Sequence, residues 1–395
     1  MGIQLYDIMP GRPFGRGTTQ TTISADPNTR TYATSSGANV TLGSAILNDG
    51  DLAAIHQTYG VSGISDDNWE PFIVASGGGT TSIVASAALQ RTYSSGAQVI
   101  KVPEYLDLTI NSAFAGHSYG ATQATSTPRA YGGINIIAVS NLLTINDVIN
   151  QNGSTGYINS SDRGGIDEWA HFKWWYDNAT SGGHIGGANS TDGSNSAVGG
   201  NSQYGYNGTE SRTPIMNGGA GAAQSGCGSG GGNATAGGNG GDGNSGTGGA
   251  ASGNVALTSL HLGGGGGGTA GSSSGGGVWT GGSGGGAWII WAREVAFGAS
   301  GGLQANGGAS FGNNGHAGGS GSGGSVLINC ERGAFGTSKV TATAGATFDH
   351  GGAGSVGQIR LNYGSLLTGT TNPAASIVQD TKLVAPTSPA MFFFD

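Results

Sequence analysis

Apolar residues in this chain fall in short alternating runs, separated by long polar excursions rich in glycine. The runs recur as a two-part unit: a glycine pair, an alternating apolar stretch, a short break, then a second apolar pair and glycine. Copies occupy residues 132–153, 286–308, 324–345 and 356–367. Alternation with a period of two places Trp288, Ile290 and Ala292 on one face of a strand, and Val326, Ile328 and Cys330 likewise. By the same count Ile134, Ile136 and Ala138 align with them. One unit alone has nothing to bury its apolar face against, so stacked copies must bury it between them, as solenoids do. The excursions leave each unit from the same place, which predicts that they emerge on one side and bundle there.

Upstream of the repeat, residues 31–130 read as all-β. Runs at 51–58, 69–76, 81–85 and 97–102 are rich in β-branched residues and bounded by turn formers, and 106–110 alternates like a half-buried strand. This spacing predicts a small β-sandwich or barrel. Residues 1–30, with Pro10, Pro13 and Pro27, predict an extended arm in which Arg12 and Phe14 anchor a partner. Residues 368–395 form a proline-containing tail. It ends in Phe392, Phe393 and Phe394, which need cover against the protein's own body or a partner. The expected fold class is therefore all-β: an N-terminal β-sandwich or barrel, then a glycine-rich β-solenoid over 131–367.

Composition sharpens the picture of the excursions. The chain holds 83 glycines in 395 residues and only 9% charged residues, against an average glycine usage of roughly 7%. Ordering a residue costs about 1–2 kcal/mol of backbone entropy, and glycine loses most. With few side chains to bury, lateral backbone hydrogen bonds are the main offset, at about 0.5–1.5 kcal/mol each. Glycine suits the polyproline II conformation, with three residues per turn, so the excursions predict a packed bundle of polyglycine-II rods.

A net charge of −8 and a pI near 5.2 argue against nucleic acid as a partner. No apolar run approaches the roughly 18 residues of a bilayer span, and residues 1–17 lack the apolar core of a signal peptide. Membrane insertion is not expected. Assembly in a host cytoplasm, with Cys227 and Cys330 as free thiols, is expected.

With glycine this common, glycine motifs lose their meaning. The G-x-S-x-G match at 281–285 precedes no helix, and the calcium-type nonapeptide at 237–245 stands alone. No catalytic residue, metal or cofactor is assigned. His316 and His350 fall inside excursions and are expected near each other at loop tips. The densest chemistry lies at 167–177, where Trp169, His171, Trp174, Trp175, Tyr176 and Asp177 crowd together. Flat rings beside polar groups suit glycan binding, with Tyr204 and Tyr206 as further candidates. Alternatively, the rings plug the glycine bundle. Asp167 and Glu168 are adjacent and point apart, unlike a glycosidase pair.

The glycine runs at 218–286 and 310–324, with Trp279 and Phe311 among them, resemble the polyglycine-II sandwich adhesins at the tips of tailed-bacteriophage tail fibres. That resemblance covers about the second two-thirds of the chain. It implies a brick of glycine rods whose distal loops touch a host receptor, carried on the virion surface or tail. The implied partners are other virion structural proteins and a host cell-surface glycan or outer-membrane component, with a homo-oligomer, a trimer by preference. A self-assembling filament or capsid-decorating protein without a small ligand is the alternative.

Overall fold

The computed structural model describes residues 4–58, 68–117, 120–122, 129–155, 218–220, 222, 226–241, 245–269, 279–313 and 315–384. The chain is nearly all β. A closed six-stranded barrel comes first, built in the order Thr29–Ser36, Asn39–Leu42, Ser82–Ala85, Trp69–Ser76, Leu52–Gln57 and Tyr93–Lys101. All its pairings are antiparallel, and alternate residues such as Val40, Ile55, Phe72, Ile83 and Val99 fill its interior. Asp107–Ile110, the half-buried alternating run, joins the repeat instead.

The repeat builds two parallel sheets. The larger has eight strands, its long members being Ile134–Ile145, Ala287–Phe297, Ser325–Ala334 and Gln358–Thr368. Gln20–Ile23 closes one edge and Ser376–Gln379 the other. The smaller stacks Phe114–Ala115, Val148–Asn150, Gly302–Gln304, Val340–Thr341 and Thr371–Asn372. Each long strand is thus followed by a short strand in the second sheet. Between the sheets lies a core of Ile137, Trp288, Ile290, Val326, Ile328, Leu303 and Val340. The opposite face of the large sheet, with Ile136, Ile289 and Trp291, packs on the barrel residues Leu52, Trp69 and Ile100.

The register corrects one alignment. Trp288 pairs with Val326 and Ile290 with Ile328, as their alternation predicts, but Ile137, not Ile136, sits beside Ile290. Ile134–Val139 is buried without a break on both faces, so alternation there carries no face information. The column Ile137–Ile290–Ile328–Leu361 is fully buried, yet its next member, Ile377, is 55% exposed on the sheet's open edge.

The N-terminal arm is mostly extended, but Leu5–Ile8 makes one helical turn, its first N–H groups held by Gln4 and Asp7. Pro10 and Pro13 prevent its continuation. Leu5 and Met9 enter the barrel–sheet core. The Tyr6 hydroxyl donates to Asp380 at 2.7 Å, pinning the arm to the chain's other end.

Glycine-rich segments occupy the gaps between short and long strands and pack side by side. Residues 317–324 show the rule. Gly318, Gly321 and Gly324 donate to Phe311, Gly308 and Ala305; Gly319 and Ser322 donate to Gly267 and Gly264; Ser320 and Gly323 donate to Gly352 and Ser355. The donor direction therefore returns every third residue. Its carbonyls receive Gly228 and Gly231 from a fourth segment, Gly282 and Gly285 from a fifth, and Gly345 from a sixth. A β-strand has two such neighbours and a period of two. Close approach is what requires glycine here: a Cβ at Gly284 would lie 1.8 Å from the carbonyl oxygen of Gly263.

Burial has a consequence at alkaline pH. Cys330 is sealed in the core between the sheets, and burial pushes its thiol up to about 12, from an ordinary 9.0. Burial, then the bond to Asp380, also raises the Tyr6 phenol. Folding favours the neutral forms, so this stability is fully present below pH 9 and is lost as pH rises through about 9–12. Native protein should resist thiol alkylation at pH 8, and its denaturation midpoint should fall steadily above pH 9.

Candidate aromatic crest of the glycine-rich segments

Two described glycine-rich excursions turn back just beyond a phenylalanine, Phe311 and Phe348, and these rings meet Trp279. Phe311 leads into a tight hairpin in which Gly312–Asn313 pairs antiparallel with His316–Ala317. Gly315, at φ +84°, makes that turn. Phe348 tops the next excursion, where Asp349 adopts φ 44° and Gly351 donates to the Phe348 carbonyl. Trp279 opens the segment 279–286 and is held by Thr269, whose N–H donates to the Trp279 carbonyl and whose hydroxyl accepts the Trp279 N–H.

The rings form a column. Trp279 and Phe311 lie 5.5 Å apart, tilted by 49°, and Phe311 and Phe348 stack at 6.1 Å and 15°. Such offset pairs contribute about 0.5–1.5 kcal/mol beyond area burial. Exposure rises along the column, from 5% at Trp279 to 46% at Phe348. Polar groups flank the outer end. The Asp349 carboxylate accepts the Gly315 N–H at 2.6 Å and lies 3.4 Å from Nε2 of His350, whose side chain is more than half exposed. The Ser310 hydroxyl accepts the Phe348 N–H. At the inner end, the indole N–H of Trp279 is buried without a hydrogen-bond partner, and so is Nδ1 of His316, on the hairpin beyond Phe311.

His316 and His350 thus come to one end of the bundle, joined through the Gly315–Asp349 bond. Phe348 was missed in the sequence, although its place in an excursion, like that of Phe311, was a readable signal. Trp169, His171, Trp174, Trp175, Tyr176, Asp177, Tyr204 and Tyr206 lie outside the described residues, as do Phe392, Phe393 and Phe394. Of the two arm anchors, Phe14 is only 3% exposed; its apolar ring is consumed by the protein's own body and is not presented to a partner. Arg12 is exposed and lines a shallow groove with Arg16, Ser140 and Arg293. Glu104 already holds Arg16, and Glu331 holds Arg293, so little unbalanced charge remains there. Cys227 and Cys330 are unbridged.

Among the described residues, no three His, Cys, Asp or Glu side chains converge as metal ligands, and no helix is long and apolar enough to cross a membrane. Comparison with family models, with curated proteins and with solved structures returns no match.

Proposed function

We propose that this chain is a bacteriophage structural protein, a tail-fibre or tail-tip adhesin whose contact loops ride on a polyglycine-II sandwich raised from a β-solenoid. The scaffold reading draws support from the lateral bonds of 317–324, which repeat every third residue and reach six neighbours. Polyproline-II-type chains have that period. The described glycines of 218–286 also avoid the left-handed region. One observation carries the adhesion reading: the aromatic column opens to solvent at the crest, the end of the rods away from the sheets. The barrel would then face other virion structural proteins and the crest a host-surface glycan or outer-membrane component. Binding, not catalysis, is the proposed role, with several copies in a homo-oligomer, a trimer by preference, supplying avidity from weak single contacts.

The test is binding of fluorescently labelled protein to a panel of bacterial strains. At least one strain should be decorated, and Phe348→Ala should weaken decoration at least fivefold with an unchanged melting profile. Equal decoration by Phe348→Ala would remove the crest from the reading. A second reading, self-assembly into a filament or capsid decoration, is favoured by the buried aliphatic column that stops at exposed Ile377. It expects polymers in micrographs of the purified protein alone, dispersed by Ile377→Lys.

A further inference from the structure

We propose that the crest is a pyranose-binding platform, with the Phe348 ring as the stacking surface and Asp349 and His350 as hydroxyl partners beside it. This deepens the adhesion reading and rests on it for its biological setting. Phe311 fixes Phe348 from one side at 6.1 Å, while nearly half of the Phe348 surface faces solvent. A ring held in that way offers a preorganised apolar face to the C–H patch of a sugar. The adjoining Asp349 carboxylate makes two contacts, to Gly315 and His350. A carboxylate has about four lone-pair sites, so it retains acceptor capacity for a hydroxyl.

Two further features point to a ligand. Asp349 sits at φ 44°, a left-handed conformation that non-glycine residues seldom adopt. The residue next in sequence to the exposed ring thus carries a carboxylate fixed by the Gly315 N–H at 2.6 Å. The Trp279 indole N–H, at the inner end of the column, and His316 Nδ1, on the hairpin beyond Phe311, are buried without partners, and a hydroxyl or a bridging water would satisfy them.

Size argues for a saccharide over a protein surface. A stable protein interface needs about 800 Å² from each partner, whereas one aromatic side chain supplies roughly 150–250 Å². Phe348 is the one large exposed apolar side chain at the crest among the described residues. Val255, Val356, Leu366, Ile377 and Val384 lie toward the sheets, and Val84 lies on the barrel.

The experiment uses the full chain on a microarray of hexose, hexosamine and uronic-acid oligosaccharides, followed by saturation-transfer NMR with any sugar retained. Binding of at least one sugar is expected, weakened tenfold or more by Phe348→Ala and kept by Phe348→Trp. Asp349→Asn tolerates the left-handed backbone and keeps an acceptor for Gly315, so it should fold normally and bind several-fold more weakly. Wild-type protein that decorates cells but retains no sugar overturns the saccharide inference and leaves adhesion standing. So does cell binding that survives periodate but not protease. A sugar bound at the crest by protein that decorates no strain upholds the inference and removes adhesion.

Discussion

Gly284→Ala is expected to destabilise the protein by on the order of 4 kcal/mol, near the upper end for one substitution. The added Cβ would lie 1.8 Å from the Gly263 oxygen, and the atoms it meets are all backbone. No rotamer can relieve such a clash, so two glycine-rich segments must move apart. That opens neighbouring bonds, including Gly263 N–H to Gly285 at 2.8 Å and Gly285 N–H to Ser322 at 2.9 Å. Each bond contributes about 0.5–1.5 kcal/mol, and a buried group left unpaired costs about 1–3 kcal/mol. The opposing gain from a stiffer unfolded chain is only about 0.4–1 kcal/mol. Gly302→Ala is the control, because its Cβ would meet nothing closer than Val148 at 3.4 Å; it should stay within about 1 kcal/mol of wild type. Denaturant midpoints of the two variants decide the matter, and equal midpoints would mean that glycine is not required for the packing of these segments.

The second large effect is expected at Trp291. Its ring is buried where the large sheet meets the barrel, 6.2 Å from Trp69 and among Leu52, Ile100, Leu257 and Leu260. Trp291→Ala should cost about 3–5 kcal/mol, the transfer and cavity terms together. The indole N–H has no partner, so the loss is one of packing. Because the cavity opens between two units, hydrogen exchange should show Leu52–Gln57 losing protection before Ser325–Ala334. A single cooperative transition shifted by less than about 1 kcal/mol would contradict this. Trp288 lies on the other face, donating to the Gln304 carbonyl at 3.2 Å and meeting Phe114 edge-on. Its truncation should instead weaken the stacked sheets.

Much of this architecture was legible before any coordinates. The β-runs at 51–58, 69–76, 81–85 and 97–102 correspond to barrel strands. Trp288 and Val326, or Ile290 and Ile328, share positions in the stack as their alternation requires. The excursions leave from equivalent points and lie against one another. The crest was only half visible: Trp279, Phe311, His316 and His350 stood out, while Phe348 and Asp349 did not.

Chain chemistry alone thus settled the β content, the repeating unit and the need for glycine to cohere through its backbone, because alternation and side-chain scarcity are local properties. Three-dimensional packing settled the register of Ile134–Ile145, the capture of Phe14 and the meeting of Trp279, Phe311 and Phe348. A strand buried on both faces has no wet side to mark its register. A glycine-rich segment presents the same amide at every step, so only tertiary packing selects which neighbours it takes and which rings meet.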